Sequence, residues 1–332
     1  MKAVANVILL MFCIVFFSGC SVTNDEVSTQ DTTSQSYNVD KLDEEIDESE
    51  FKLVLSQPNG SQLILEDRPE RVIVLAATTL EILHTLGVDK VVGNANLQSR
   101  QDLIGLYPDS VDVGLTQNPD MEIIATLNPD LIIAPSTFVT LQDQFEAQGH
   151  NIWFASNQTY NDTIELIDIF GTMFDIEDKA QQVINDIETQ KAEIIEEVIN
   201  ENKDITAMIM FGTGDNIMFG TNQSYVGSIL EFFEIKNVTD GMEFETQSGG
   251  YVPFSLEEVI VQNPNVIFRI AHGDVEQAAI MFDQQFDSNP AFHGIDAYVN
   301  NRIYDLDHTL FFSNPGIRTV EGFRYIADII LS

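Results

Sequence analysis

Two stretches of this chain carry one pattern: Met121-Glu-Ile-Ile-Ala-Thr-Leu-Asn-Pro-Asp-Leu-Ile-Ile133 and Leu256-Glu-Glu-Val-Ile-Val-Gln-Asn-Pro-Asn-Val-Ile-Phe268. Each reads as a short helix with an early acid, an Asn-Pro stop and a buried strand. The proline ring disfavours the α region for the asparagine before it, which ends the helix. The apolar run after the stop is largely β-branched or aromatic and suits a buried parallel strand. Asn128 and Asn263 stand 135 residues apart. A single repeat at so long a period means two similar lobes, not a solenoid. Ligands of open α/β sheets sit outside the carboxyl ends of the strands. Two such lobes therefore describe a protein that binds in a cleft.

The second copy runs on through Arg269 to Ala271-His272-Gly273. This delivers His272 to the strand end, where such a fold binds ligands. A histidine that merely packs at a strand end accounts for the local pattern equally well. The remaining histidines, His84, His150, His293 and His308, fall in a helix, a turn and polar loops, and no function follows from them.

The rest of the chain alternates strands and helices, which implies a mainly parallel sheet. Phe51–Leu55 and Ser61–Leu65 flank Pro58-Asn59-Gly60 and predict a hairpin. Arg71–Leu75 reads as a strand, followed by a helix capped by Thr78 or Thr79. From Ile176 to Asn202 apolar residues recur at helical spacing without Gly or Pro, predicting one long helix with its charges outward. A second α/β lobe begins at Ile205. Ser255 is the expected cap of its repeat helix, with Glu258 completing a capping box. The expected organisation is residues 1–20 as an export signal, 21–50 as a disordered acidic tether, 51–175 as an N-terminal lobe, 176–203 as the interlobe helix and 204–332 as a C-terminal lobe.

The N-terminus has Lys2, an apolar core from Val7 to Phe17, and then Ser18-Gly19-Cys20. That apolar run is too short to span a bilayer, which takes about 20 residues. The tether has ten acids and one base, Lys41. Such a composition does not bury enough surface to offset ordering entropy, and its reach is about 30 Å. The whole chain carries 53 acids against 15 bases, a formal charge of −38. Nucleic-acid binding, which needs clustered Lys and Arg, is excluded, and so is attraction to anionic lipid. The charge fits a saline or alkaline habitat, where salt screens it. Cys13 and Cys20 are the two cysteines, so the body of the chain has no disulfide, zinc cluster or catalytic thiol. No Gly-x-Ser-x-Gly elbow or His-Glu-x-x-His motif occurs. A hydrolase or metalloenzyme on an α/β scaffold is thereby disfavoured against a binding protein.

Taken together, the Cys20 segment, the acidic tether, the two lobes and the connecting helix resemble the substrate-binding lipoproteins of iron-complex and cobalamin ABC importers. Asn263 to Asp307 is most similar to the haem-binding lipoproteins of Isd haem-uptake systems, through Asn263-Pro264, Ile267, Arg269, His272-Gly273, Met281-Phe282, Phe286, Asn300-Asn301 and Tyr304-Asp305-Leu306. The resemblance implies the two-lobed periplasmic-binding-protein-like α/β fold of the third class, with a single long helix joining the lobes. It implies a transport protein rather than an enzyme. It implies haem b as the cargo, with His272 as axial iron ligand. The family's other axial ligand is a Met in the loop before the first repeat helix. Here Gln117 holds that place, as a second ligand of different chemistry; Met121 and Met242 are other candidates. Tyr251 and Phe311, with Leu115 and Phe312, are candidates to line the haem slot. The resemblance further implies acylation of Cys20 and a monomer on the outer face of a Gram-positive cytoplasmic membrane. Glu122 and Glu257, each seven residues before the helix-stopping proline, would dock on the ABC permease. That permease and its ATPase are the expected partners, with cell-wall haem-relay proteins beside them. A ferric siderophore, or another iron chelate or cobalamin, is the alternative cargo.

Overall fold

The computed structural model describes residues 51–332, apart from residues 99, 202–203, 214–215, 243–249, 254–255, 273–274 and 312–313. The expected signal segment with Cys20, the tether, the cap at Ser255 and Phe312 lie outside the described residues.

The first lobe opens with the hairpin β1 (Leu53–Ser56) and β2 (Gln62–Leu65), whose turn has Gly60 at φ 84°. There follow β3 (Val72–Val74), α1 (Ala77–Leu86), β4 (Val91–Asn94), β5 (Val111–Asp112), β6 (Gly114–Leu115), β7 (Asn118–Pro119) and α2 (Met121–Leu127). The lobe closes with β8 (Leu131–Pro135), α3 (Gln142–Glu146), β9 (Ile152–Ala155) and α4 (Tyr160–Phe174). The sheet runs β5-β4-β3-β8-β9, every pair parallel. Ile73, Leu131, Ile132 and Phe154 within it are wholly buried, as expected of strands covered on both faces. The outer edge of β9 is closed by one side chain. Gln57 donates to Ile152 O at 2.6 Å and accepts from Phe154 N at 3.0 Å, so its amide takes the place of a neighbouring strand.

The long helix expected at Ile176–Asn202 is α5 (Glu177–Asn200). It packs on α4 of the first lobe and on the last helix of the second.

The second lobe comprises β10 (Thr206–Thr213), β11 (Asn216–Gly220), α6 (Tyr225–Phe232), β12 (Lys236–Asn237), β13 (Tyr251–Val252) and α7 (Leu256–Gln262). It continues with β14 (Val266–His272), α8 (Val275–Ser288), α9 (Asp296–Val299), β15 (Ile303–Asp305), α10 (His308–Phe311) and α11 (Thr319–Leu331). Its sheet runs β13-β11-β10-β14-β15, with β12 also on β10. β10, β12, β14 and β15 pair in parallel, as the βα alternation implies. The antiparallel β11 and β13 are not legible in the sequence: Asn216-Ile-Met-Phe-Gly220 has neither clean alternation nor β-branched enrichment.

Both repeat helices end as the Asn-Pro pairs demand, with Asn128 at φ 44° and Asn263 at φ 47°. The prolines exclude the right-handed region for these residues, and asparagine is among the few that tolerate the left-handed one. The cap expected for α1 is corrected. Thr78 and Thr79 lie inside its first turn, and the N-cap is Ala76, which supplies no side-chain bond. Strand β3 runs so directly into the helix that the N-cap falls two residues before the first of the threonines.

The lobes meet in an aromatic joint. Tyr160 of α4 stands edge-on to Phe232 of α6 (centroids 5.3 Å apart) and to Phe323 of α11 (5.4 Å). Lys191 of α5, the exception to that helix's outward charges, lies 4.0 Å above the Tyr160 ring and 4.6 Å from that of Phe232. Its ammonium bonds Glu188 at 2.7 Å, and the Tyr160 hydroxyl donates to the same carboxylate at 2.6 Å. A desolvated cation over aromatic faces contributes about 2 kcal/mol. A second tie is polar. Asn314, buried, donates to Thr163 Oγ1 at 2.7 Å and also to Thr159 O. Thr163 donates to Asn157 at 3.0 Å, and Asn157 donates to Thr78 Oγ1 at 3.2 Å.

Candidate functional site

The candidate site is defined by where the strands end. In the first lobe β3 stops at Val74 and Leu75 leads into α1. The β6–β7 hairpin is fastened there, because Thr116 Oγ1 donates to Leu75 O at 2.8 Å. Gly114, at φ 90°, starts that hairpin. Gln117 is the next residue in its turn and is exposed. The Thr116 bond thus holds the Gln117 turn at the carboxyl edge of the first sheet. The same connection continues into α2, where the Asp120 carboxylate accepts from Glu122 N at 3.0 Å and Ile123 N at 3.1 Å.

In the second lobe β14 ends at His272, as the sequence implies, in parallel register with β10 so that His272 is opposite Thr213. Both strands thus end at one edge. Arg269 of the matched motif is a structural residue. Its guanidinium is held by Asp283 at 2.7 Å and by Asp305, and lies 5.4 Å from the centre of the Phe282 ring. Arg269 thereby ties β14 to β15 and α8 in a chain with few bases.

Tyr251 is half-buried and stacks on Phe211 of β10, with centroids 4.3 Å apart and planes at 26°. Burial pushes its phenol above the ordinary range, so it stays neutral. This stacked pair is the described aromatic surface nearest in sequence to the end of β10. Phe311 must be corrected. It is wholly buried, edge-on to Tyr325 at 5.3 Å and tilted against Tyr225 at 6.1 Å, so its ring belongs to the core and offers no face to a ligand. Leu115 is exposed. Met121 packs against the first-lobe core, and Met242 is half-buried beside residues that are not described. Glu122 and Glu257 are both exposed, each at the second position of its repeat helix.

Two arginines at the lobe seam escaped the sequence reading. Arg100, mostly buried in the first lobe, bonds Glu81 and Asp102, each at 2.8 Å. Arg318 of the second lobe bonds Glu321 at 2.7 Å. Charges of the two groups act on one another: Arg100 holds the Asp102 carboxyl below its ordinary value, and Arg318 adds to this. Neither residue lies in a motif, and the only available signal was the scarcity of bases. Among the described residues no group of three or more His, Cys, Asp or Glu side chains converges on a metal position. A pocket of about 590 Å³ between the β1–β2 hairpin and α3, lined in part by Gln57, Asn59, Gln142 and His150, is not formed by the strand ends that carry His272 and Gln117.

A family model described as "Periplasmic binding protein" matches residues 72–310. The chain is 26% identical over 331 residues to the Fe(3+)-citrate-binding protein YfmC of Bacillus subtilis (strain 168), covering 96% of this chain and 94% of that protein. It is 24% identical over 260 residues to the high-affinity heme uptake system protein IsdE of Staphylococcus aureus (strain Newman), covering 77% and 86%. Among solved structures, S. aureus IsdE complexed with heme superposes with a TM-score of 0.69 at 20% identity, over 79% of this chain and 99% of that one. This last likeness is one of fold: two α/β lobes with a helical connection, the third class of periplasmic binding proteins.

Proposed function

The chain belongs to the periplasmic binding protein family, and from that premise we propose that it captures haem between its lobes and delivers it to an ABC importer. The observation that carries this reading is the position of His272 as the last residue of β14. Carboxyl ends of parallel strands are where α/β sheets present ligand-binding groups. A neutral imidazole is a common axial ligand of haem iron. The similarity to a heme uptake protein adds weight to that cargo.

In this reading His272 is the principal axial ligand. Gln117, held near the first sheet's edge by its neighbour Thr116, is the second. An amide oxygen is harder and weaker than a thioether and suits ferric iron. The bound haem is then ferric and five-coordinate or weakly six-coordinate. Its reduction potential is lower than with a Met–His pair. Tyr251 on Phe211 supplies an apolar wall, and burial of the macrocycle provides most of the affinity. Glu122 and Glu257 dock on the permease, whose ATPase drives import. Acylated Cys20 anchors the monomer outside the cytoplasmic membrane, where cell-wall haem-relay proteins would load it.

The second reading is a carboxylate-rich ferric chelate, favoured by the match to a Fe(3+)-citrate-binding protein over nearly its whole length. Titration of the protein with haemin and, separately, ferric citrate tests the choice. Saturable binding of haemin with a Soret shift, and none of ferric citrate, is expected. Binding of ferric citrate alone would replace the first reading with the second.

A further inference from the structure

We propose that Asn314 is a positioning residue: its amide pins the second lobe to the first and so fixes how far the His272 strand end stands from the Gln117 hairpin. The inference rests on the reading of those two residues as axial ligands of a haem held between the lobes.

The amide is used at both ends. Asn314 is 1% exposed. Its oxygen serves its own lobe, accepting from Gly316 N at 3.0 Å. Its nitrogen crosses to α4 of the first lobe, donating to Thr163 Oγ1 at 2.7 Å and to Thr159 O. A primary amide has two N–H donors, and both go across the seam. A shift of one lobe against the other would strand these groups away from water, which is costly. The aromatic joint of Tyr160, Phe232 and Phe323 is a contact of another kind. Apolar burial is non-directional and tolerates sliding, whereas hydrogen bonds weaken steeply once misaligned. The lobe register therefore falls to Asn314.

The pin leads to both expected ligands. Thr163 donates to Asn157 at 3.0 Å, and Asn157 to Thr78 Oγ1 of α1 at 3.2 Å. The pinned turn also seats on α1 directly. Gly316 has φ 63°, and a Cβ there would meet Ile82 Cδ1 at 3.3 Å and Thr78 Cβ at 3.5 Å. Helix α1 leaves β3 at the edge where Thr116 fastens the Gln117 hairpin to Leu75 O. On the other side Asn314 follows α10, which packs on β14, the strand that ends at His272. One side chain thus links the elements that present the two ligands. A weak second donor such as an amide oxygen depends on a preset gap, because little binding energy is available to close one.

Pulsed EPR distances between two spin labels on the full chain test the pin without cargo. The labels go on Thr126→Cys and Val261→Cys, exposed positions 135 residues apart and equivalent under the repeat, with Cys13 and Cys20 replaced by Ser. Asn314→Ala should broaden the interlobe distance distribution. Thr163→Val keeps the shape of its side chain without the hydroxyl and should broaden it less, which keeps the test open if Asn314→Ala does not fold. Asp130→Ala, which loosens the start of β8 inside the first lobe, should leave the distribution as in the wild type. With haemin, Asn314→Ala should speed dissociation about tenfold, the scale of one buried hydrogen bond, at an unchanged association rate. In the Gln117→Met background it should also lower the six-coordinate fraction. A wild-type distribution in the seam variants, or equal broadening by Asp130→Ala, would overturn the pin. A broadened distribution with unchanged haemin dissociation and ligation would overturn the positioning role and leave the haem reading standing. A wild type that binds no haemin would overturn the haem reading and the ligand positioning with it, while the distances would still decide whether Asn314 holds the lobes.

Discussion

Asp130 and Asn265 do the same work in the two lobes. The Asp130 carboxylate accepts from the amides of Glu70 at 2.8 Å and Arg71 at 3.0 Å, and the Asn265 side chain accepts from that of Thr206 at 2.8 Å. Their own amides return to Arg71 O at 3.0 Å and Thr206 O at 2.8 Å. Each follows the helix-stopping Asn-Pro pair and clamps its strand to the start of the neighbouring one. The register beyond is also shared: Val72 faces Leu131 as Ala207 faces Val266.

Removing either clamp should therefore cost the same kind of energy. Asp130→Ala and Asn265→Ala are each expected to lower stability by about 1 kcal/mol. Their effects should add in the double variant, because the sites share no partner. Urea unfolding of the four proteins measures this. A double variant no less stable than the worse single one would contradict the equivalence.

The duplication made the architecture legible. The Asn-Pro pairs located both repeat helices and the two strands that follow them. The unbroken apolar period of 176–202 predicted α5 to within two residues at each end. Lys191 was hidden because its burial depends on Tyr160 and Phe232, which lie far away in the chain. Strands β11 and β13 were missed because pairing with β10, rather than local pattern, creates them. At the site, the strand-end position of His272 was legible. The core position of Phe311 and the seam arginines depend on contacts across the fold, to which no local motif points.

Glu188 gives the interlobe joint a pH dependence. Burial works against its charge, but bonds from Lys191 and Tyr160 outweigh this and hold its carboxyl below the ordinary value. A depressed folded pKa means stability that is present above the ordinary carboxylate range and lost as the pH falls through the lowered value. Glu188→Gln is therefore expected to melt below the wild type at pH 7. The gap should close as the pH drops below about 4. A gap that stays constant from pH 7 to pH 3 would show that the carboxylate charge plays no part in the joint.

Permease docking through Glu122 and Glu257 predicts a separation of transport from binding. Both are exposed and hold equivalent positions in α2 and α7. Glu122→Arg and Glu257→Arg should each reduce iron-complex uptake by cells at least severalfold, with cargo affinity unchanged in purified protein. A double reversal that leaves uptake intact would remove these residues from the interface.

The central claim is that His272 binds the iron of a haem held between the lobes. The absorbance spectrum of haemin-loaded protein, wild type against His272→Ala, tests it most directly. The wild type should show a Soret band and charge-transfer bands of ferric, histidine-ligated haem. The variant should still retain haem weakly through burial of the macrocycle but lose that spectrum, and Gln117→Met should move the wild-type spectrum toward a six-coordinate Met–His form. A His272→Ala protein whose Soret and charge-transfer bands match those of the wild type would contradict the claim.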